Sequence, residues 1–95
     1  MPFTLKNKSI LVTGGTGSFG QKFVEFALKE LSPKKLVVFS RDELKQFDMA
    51  VKFPESQYPC MRYFIGDVRD RNRVLRALSG IDIVVHASAM KQIVA

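Results

Sequence analysis

Apolar and polar positions alternate between two patterns along this chain. Four short segments, SILVT (9–13), KLVVFS (35–40), RYFIG (62–66) and DIVVHASA (82–89), are nearly continuous in apolar content and rich in β-branched or aromatic residues. Strands covered on both faces of a parallel sheet read this way, whereas a half-exposed strand alternates. Between the first two, from Ser18 to Leu31, Phe23, Val24, Ala27, Leu28 and Leu31 recur at helical spacing while Gln21, Lys22, Glu25 and Lys29 point elsewhere, and Pro33 ends the helix. Asp42 is placed to cap a second helix through ELKQFDMAVKF, which Pro54 closes. A third begins at Asp70, presents Val74, Leu75 and Leu78 on one face and stops at Gly80, a residue suited to a left-handed cap. The series β-α-β-α-β-α-β predicts an α/β fold, a doubly wound parallel sheet with right-handed crossovers. In the usual strand order 3-2-1-4 the fourth strand is an uncovered apolar edge.

The turn from the first strand into the first helix carries LVTGGTGSFG, with Gly14, Gly17 and Gly20 spaced G-x-x-G-x-x-G. A dinucleotide pyrophosphate needs such bare backbone, because it sits against unpaired N–H groups and the positive end of the helix dipole. The first glycine permits the tight turn, the second lets backbone approach phosphate, and the third lets helix close on strand. Thr16, Ser18 and Phe19 fill the gaps, and Ser18 is suited to capping the helix or donating its hydroxyl to phosphate. The spacing alone also fits any turn that needs positive φ; its place after a strand and before an amphipathic helix selects dinucleotide binding.

The end of the second strand reads FSRDELK. An NAD site places an acid there for the ribose 2′-hydroxyl, whereas an NADP site places cations for the 2′-phosphate. Ser40, Arg41 and Lys45 offer a hydroxyl and two cations, which predicts NADP; the other reading keeps Asp42 on the ribose and Arg41 in solvent. After the third strand, Asp67 is placed either to accept from the adenine amino group, with Val68 packing on the ring, or to make a loop hydrogen bond. After the fourth, Ala87, Ser88 and Ala89 leave room for ribose and nicotinamide. His86 reads as a packed, hydrogen-bonded histidine rather than a catalyst. Lys91 either meets phosphate or a sugar hydroxyl, or is solvated.

Composition changes this picture little. The 95 residues are 46% hydrophobic and 25% charged, as in an ordinary globular domain. No run reaches the ~18 apolar residues of a membrane span, nor does MPFTLKNKS carry a signal-peptide core, so the expected compartment is the cytoplasm. Cys60 stands alone and reads as a plain thiol, and no metal site is indicated. The net charge of +6 suits an anionic partner. Its local concentration, Arg69, Arg71, Arg73 and Arg76, fans around more than one helical face and reads as solvated surface, so nucleic-acid binding, which would leave the glycine spacing unexplained, is not expected.

Taken together, VTGGTGSFG, SRDELKQ, FIGDVRD and VVHASAMK resemble the N-terminal part of the extended short-chain dehydrogenase/reductases, with their Rossmann-like fold. More narrowly, the chain resembles the UDP-N-acetylglucosamine 4,6-dehydratases, including the C5-inverting branch. The resemblance implies that residues 1–95 form the N-terminal portion of an NADP-binding domain. It assigns Thr16, Gly17, Ser18 and Phe19 to the pyrophosphate, and Ser40, Arg41, Asp42, Glu43, Leu44 and Lys45 to the 2′-phosphate. Asp67 and Val68 go to the adenine, Ala87 to the ribose region and Lys91 to the nicotinamide and the substrate. The implied reaction on a nucleotide-sugar is oxidation at C4, loss of water across C5–C6 and reduction at C6, in a homo-oligomer. The family's catalytic Tyr-x-x-x-Lys lies downstream, so no catalytic residue is assigned here and the chain alone is expected to be inert. A non-catalytic NADP-binding regulator of the same superfamily is the other reading. Ser88-Ala89-Met90 and Gln92 depart from the family pattern and bear on substrate positioning.

Overall fold

A computed structural model describes residues 6–14 and 16–87. Strands β1 (Ser9–Thr13), β2 (Lys35–Ser40), β3 (Met61–Ile65) and β4 (Ile83–His86) form one parallel sheet in the order β3-β2-β1-β4. This is the predicted Rossmann-like topology. Strand β1 is buried throughout, as is β2 from Leu36 onwards, and alternate residues feed two separate cores. Ile10, Val12, Leu36 and Val38 meet helices α1 (Ser18–Phe26) and α2 (Glu43–Lys52) through Val24, Ala27 and Met49. On the opposite face Leu11, Val37 and Phe39 meet Ala77 of α3 (Arg71–Ala77). The near-continuous apolar runs are thus explained by burial on both faces.

Strand β4 is the uncovered edge that the strand order predicted, and it lacks the two-sided burial expected of its apolar run. It lies at the sheet edge, where Val84 is 39% exposed and burial alternates along the strand. It also ends at His86, short of the predicted 82–89, with Ala87 in a turn and Ser88 and Ala89 outside the described residues. Its register is fixed by a reciprocal clamp in which the Ser9 N–H donates to the Asp82 carboxylate and the Asp82 N–H to the Ser9 carbonyl, both at 2.8 Å.

The helices start where the sequence indicates. Asp42 accepts from the Lys45 N–H at 3.0 Å and Asp70 from the Arg73 N–H at 3.2 Å, each satisfying an orphan donor of the first turn. Their other ends differ more. The first helix ceases to be α-helical at Phe26 and finishes as a single π-helical turn, Ala27–Leu31, before Ser32 at φ 45°. Pro33 disfavours the right-handed helical region at Ser32, and the apolar spacing does not distinguish the two hydrogen-bond ladders. In α3 the buried face is Val74, Ala77 and Leu78, continued by Ile81, while Leu75 is 57% exposed rather than inward. Gly80, at φ 72°, supplies the left-handed turn beyond it.

Tyr63 holds β3 to the end of α2, its hydroxyl donating to the Phe53 carbonyl at 2.8 Å. Burial, aided by Glu55, pushes this phenol up to about 12 from its ordinary 10.0. A phenol whose folded-state value is raised contributes stability that is complete below the unfolded value and lost as pH rises through the folded one. Stability is therefore expected to fall between about pH 10 and 12 in part through Tyr63, and Tyr63→Phe to flatten that slope in unfolding curves taken across the range.

Candidate functional site

The carboxyl ends of β1, β2 and β3 open on a cleft of ≈ 570 Å³. Its floor is the glycine loop. Gly14, at φ 67°, turns the chain out of β1 and donates its N–H to the Phe39 carbonyl at 3.0 Å, and the Gly17 N–H returns to the Gly14 carbonyl at 3.2 Å. Gly17, not Ser18, is the N-cap of α1: it is extended (φ −75°, ψ 176°), no side chain caps the helix, and its first turn carries no acid. Among the described residues a Cβ on Gly17 would meet only the Gly14 carbonyl, at 3.6 Å, so none of them fills the space in front of the helix. Gly20 is buried, as expected of the glycine that lets α1 close on the sheet.

The loop is braced from two sides. The Thr16 hydroxyl, buried, lies 3.2 Å from the Ser40 hydroxyl, which accepts from the Asp42 N–H at 3.1 Å. Ser40 is only 8% exposed, so its hydroxyl ties the glycine loop to the β2–α2 turn rather than standing free for an incoming phosphate. On the other side the Gln21 amide donates to the Thr16 carbonyl at 3.0 Å and accepts from Lys52 at 3.2 Å. Gln46, on the inner face of α2 and 4% exposed, donates toward the Ser40 and Phe64 carbonyls at 3.2 and 3.0 Å and so joins the ends of β2 and β3. Sequence reading passed over it; the available signal was an amide on an otherwise apolar helix face, a position filled only when the amide has buried partners.

At the far wall, Asp67 makes the loop hydrogen bond that was one of its two readings. Its Oδ1 accepts from the Arg69 N–H at 2.9 Å, and Arg69 Nη2 reaches Oδ2 at 2.8 Å. Arg41 Nη1 approaches the same Oδ2 at 3.4 Å. Hydrogen bonds from Arg69, reinforced by the charges of Arg69 and Arg41, hold this carboxyl well below the usual carboxylate range. Beneath it, Gly66 rests on a stack in which Phe39 and Phe64 lie 5.7 Å apart with the Arg73 guanidinium 4.1 Å over the Phe64 ring. Arg73 also donates to the Ile65 carbonyl at 2.7 Å, so it is not the solvated arginine its spacing suggested, whereas Arg71 and Arg76 are exposed.

Of the residues singled out from the sequence, the cleft brings together Gly14, Thr16, Gly17, Ser40, Arg41, Asp42, Lys45, Asp67 and Val68. Ser18 lines an adjoining groove between α1 and α2 instead. Phe19, Gly20, Glu43 and Leu44 do not line the cleft, and Leu44 is 71% exposed. Ala87 is buried, its N–H donating to the Thr13 carbonyl at 2.9 Å. Lys91 lies outside the described residues. His86 is hydrogen-bonded as expected, Nδ1 2.9 Å from the Thr13 hydroxyl, but exposed rather than packed. Cys60 is a free, half-buried thiol whose pKa burial pushes up, which leaves it less reactive. Among the described residues no cluster of His, Cys, Asp or Glu could hold a metal ion, and no helix is long and apolar enough to cross a membrane.

Relatives carry the same segment. The chain is 54% identical over 86 residues to a UDP-N-acetylglucosamine 4,6-dehydratase (inverting) of Campylobacter jejuni subsp. jejuni serotype O:2, covering 90% of this chain and 25% of that one. It is 42% identical over 90 residues to a UDP-glucose 4-epimerase of Rickettsia bellii, covering 92% and 26%. The X-ray structure of Pen from Bacillus thuringiensis superposes with a TM-score of 0.78 at 39% identity, over 86% of this chain and 25% of that one. The chain thus spans about a quarter of the length of the curated relatives it matches. The family described as polysaccharide biosynthesis protein matches residues 10–95, nearly the whole sequence, and the chain belongs to that family.

Proposed function

We propose that this chain is the NADP(H)-binding N-terminal part of a nucleotide-sugar 4,6-dehydratase acting on UDP-N-acetylglucosamine. The observation that carries the reading is the conjunction, in one cleft, of an α1 N-terminus that no side chain caps with two cations, Arg41 just after β2 and Lys45 in the first turn of α2. The first supports a pyrophosphate and the second a 2′-phosphate. In this reading the N–H groups after Gly17 receive the pyrophosphate and Thr16 and Ser40 hold the two loops in register beneath it. Arg41 and Lys45 receive the 2′-phosphate, and Asp42 is engaged as the α2 cap rather than on the ribose. Val68, 60% exposed at the rim, gives the adenine an apolar surface. Ala87 is assigned to the ribose region and Lys91 to the nicotinamide and substrate by the family resemblance alone.

NADP supplies the hydride acceptor and donor for oxidation at C4 and reduction at C6, with water lost across C5–C6 in between. No Tyr-x-x-x-Lys occurs in the 95 residues, so the chain alone binds and orients without turnover. The dehydratase assignment rests on the Campylobacter relative and on the SRDELKQ and GDVRD segments.

Thermal unfolding of the chain with NADP and, separately, NAD tests the reading. NADP at a hundredfold excess over its Kd is expected to add about 2.7 kcal/mol, or roughly 10 °C or more in midpoint, and NAD at the same concentration clearly less. A folded chain with equal or no shifts would overturn it.

A further inference from the structure

Arg69 was read from the sequence as surface charge, yet it lines the cleft opposite Arg41 and Lys45. The two arginines hold Asp67 unequally. Arg69 closes on both carboxylate oxygens, its Nε 3.2 Å from Oδ1 and its Nη2 2.8 Å from Oδ2, while its own backbone N–H meets Oδ1 at 2.9 Å. Arg41 makes a single contact, at 3.4 Å, with a side chain 71% exposed. The bidentate pair is the stronger and more directional of the two.

A dianion entering this cleft meets Asp67 as a like charge and competes with it for Arg41. With Arg69 in place the carboxylate is already compensated, and Arg41 gives up only one long contact to reach the phosphate. Without Arg69, Asp67 would both repel the dianion and draw Arg41 to itself, leaving Lys45 as the cation facing the ligand. We infer that Arg69 is a positioning residue for cofactor choice: by closing on Asp67 it frees Arg41 for the 2′-phosphate. This rests on the proposed NADP site.

Calorimetric titration of NADP and NAD into the chain and into Arg69→Gln, Asp67→Asn and the double variant separates the two levels. Wild-type chain that does not prefer NADP would overturn the cofactor reading and this inference with it. Given that preference, Arg69→Gln is expected to lower the NADP-to-NAD affinity ratio about tenfold, and Asp67→Asn in the same chain to restore most of it. An unchanged ratio in Arg69→Gln would reduce Arg69 to a loop closure. A lowered ratio that the double variant fails to restore would mean direct contact with the phosphate, and would overturn the compensation argument as well. With its side chain 78% exposed, Arg69 is replaceable without disturbing either core.

Discussion

Gly17→Asp is expected to abolish NADP binding while leaving the chain as stable as before, or slightly more so. Gly17 is the N-cap of α1, with the extended backbone that aspartate adopts readily at that position. Among the described residues a Cβ there meets nothing closer than the Gly14 carbonyl at 3.6 Å, so none of them obstructs a side chain. Aspartate would then cap the helix itself, accepting from the first-turn N–H groups and placing its charge at the positive end of the dipole, each effect worth a few tenths to about 1 kcal/mol. In the proposed NADP site those are the donors that receive the pyrophosphate. An anion fixed in that place both occupies them and repels the incoming phosphates, and a loss of about a hundredfold or more in affinity is expected from donors lost and like charges opposed. Calorimetric titration together with the unfolding midpoint checks both halves. Undiminished NADP binding in a folded Gly17→Asp chain would place the pyrophosphate elsewhere.

Gly66→Ala is expected to act on the fold instead. A Cβ at Gly66 would lie 2.7 Å from Cγ of Arg73 and 2.8 Å from Cζ of Phe39, both closer than carbon atoms approach. Neither neighbour yields easily. Cγ is near the root of a side chain whose far end is held by the Ile65 carbonyl and the Phe64 ring, and Phe39 is 2% exposed and stacked on Phe64. Overpacking of this kind costs about 1–3 kcal/mol, which for a domain of this size is a fall of roughly 5–20 °C in midpoint. Because the clash is with named atoms, it should be partly relieved by Phe39→Leu in the same chain, giving a double-variant loss smaller than the sum of the two single losses. Strict additivity would show that the cost at Gly66 arises elsewhere.

The fold was legible because its determinants are local or periodic. Runs buried on both faces, Asp42 and Asp70 at helix starts, and Gly14 and Gly80 at left-handed turns each follow from what one residue type does in one backbone setting. The candidate site was legible only in outline. The glycine loop and the cations after β2 could be read from type and spacing, but not the direction of the Ser40 hydroxyl, which is settled by Thr16 across the sheet and by the Asp42 N–H. Arg71, Arg73 and Arg76 look alike in sequence. What singles out Arg73 is the Phe64 ring and the Ile65 carbonyl, which only the packing of α3 against the end of β3 brings within reach. Gly66 and Gln46 were missed for the same reason: each answers to partners on other elements of the fold. Leu75 followed the helical apolar pattern yet faces outward, because α3 lies over strands β1 and β2 and turns its 74–77–78 side to them.

Strand β1, in the interior of the sheet, precedes both of its partners in the chain and waits longest for the second. One of its edges is satisfied by β2, but the other waits for β4, and the Ser9–Asp82 clamp joins residues 73 positions apart. Non-local parallel pairing of this kind is slow to form, and until it forms β1 presents an open row of amides and carbonyls to any strand that passes. Apolar side chains select poorly among such strands, since one β-branched run packs much like another. The clamp selects well: a strand displaced by one residue would lose the carboxylate that meets the Ser9 N–H and turn every side chain to the wrong face. Asp82 thus favours one register, since only the native pairing brings its carboxylate to the Ser9 N–H.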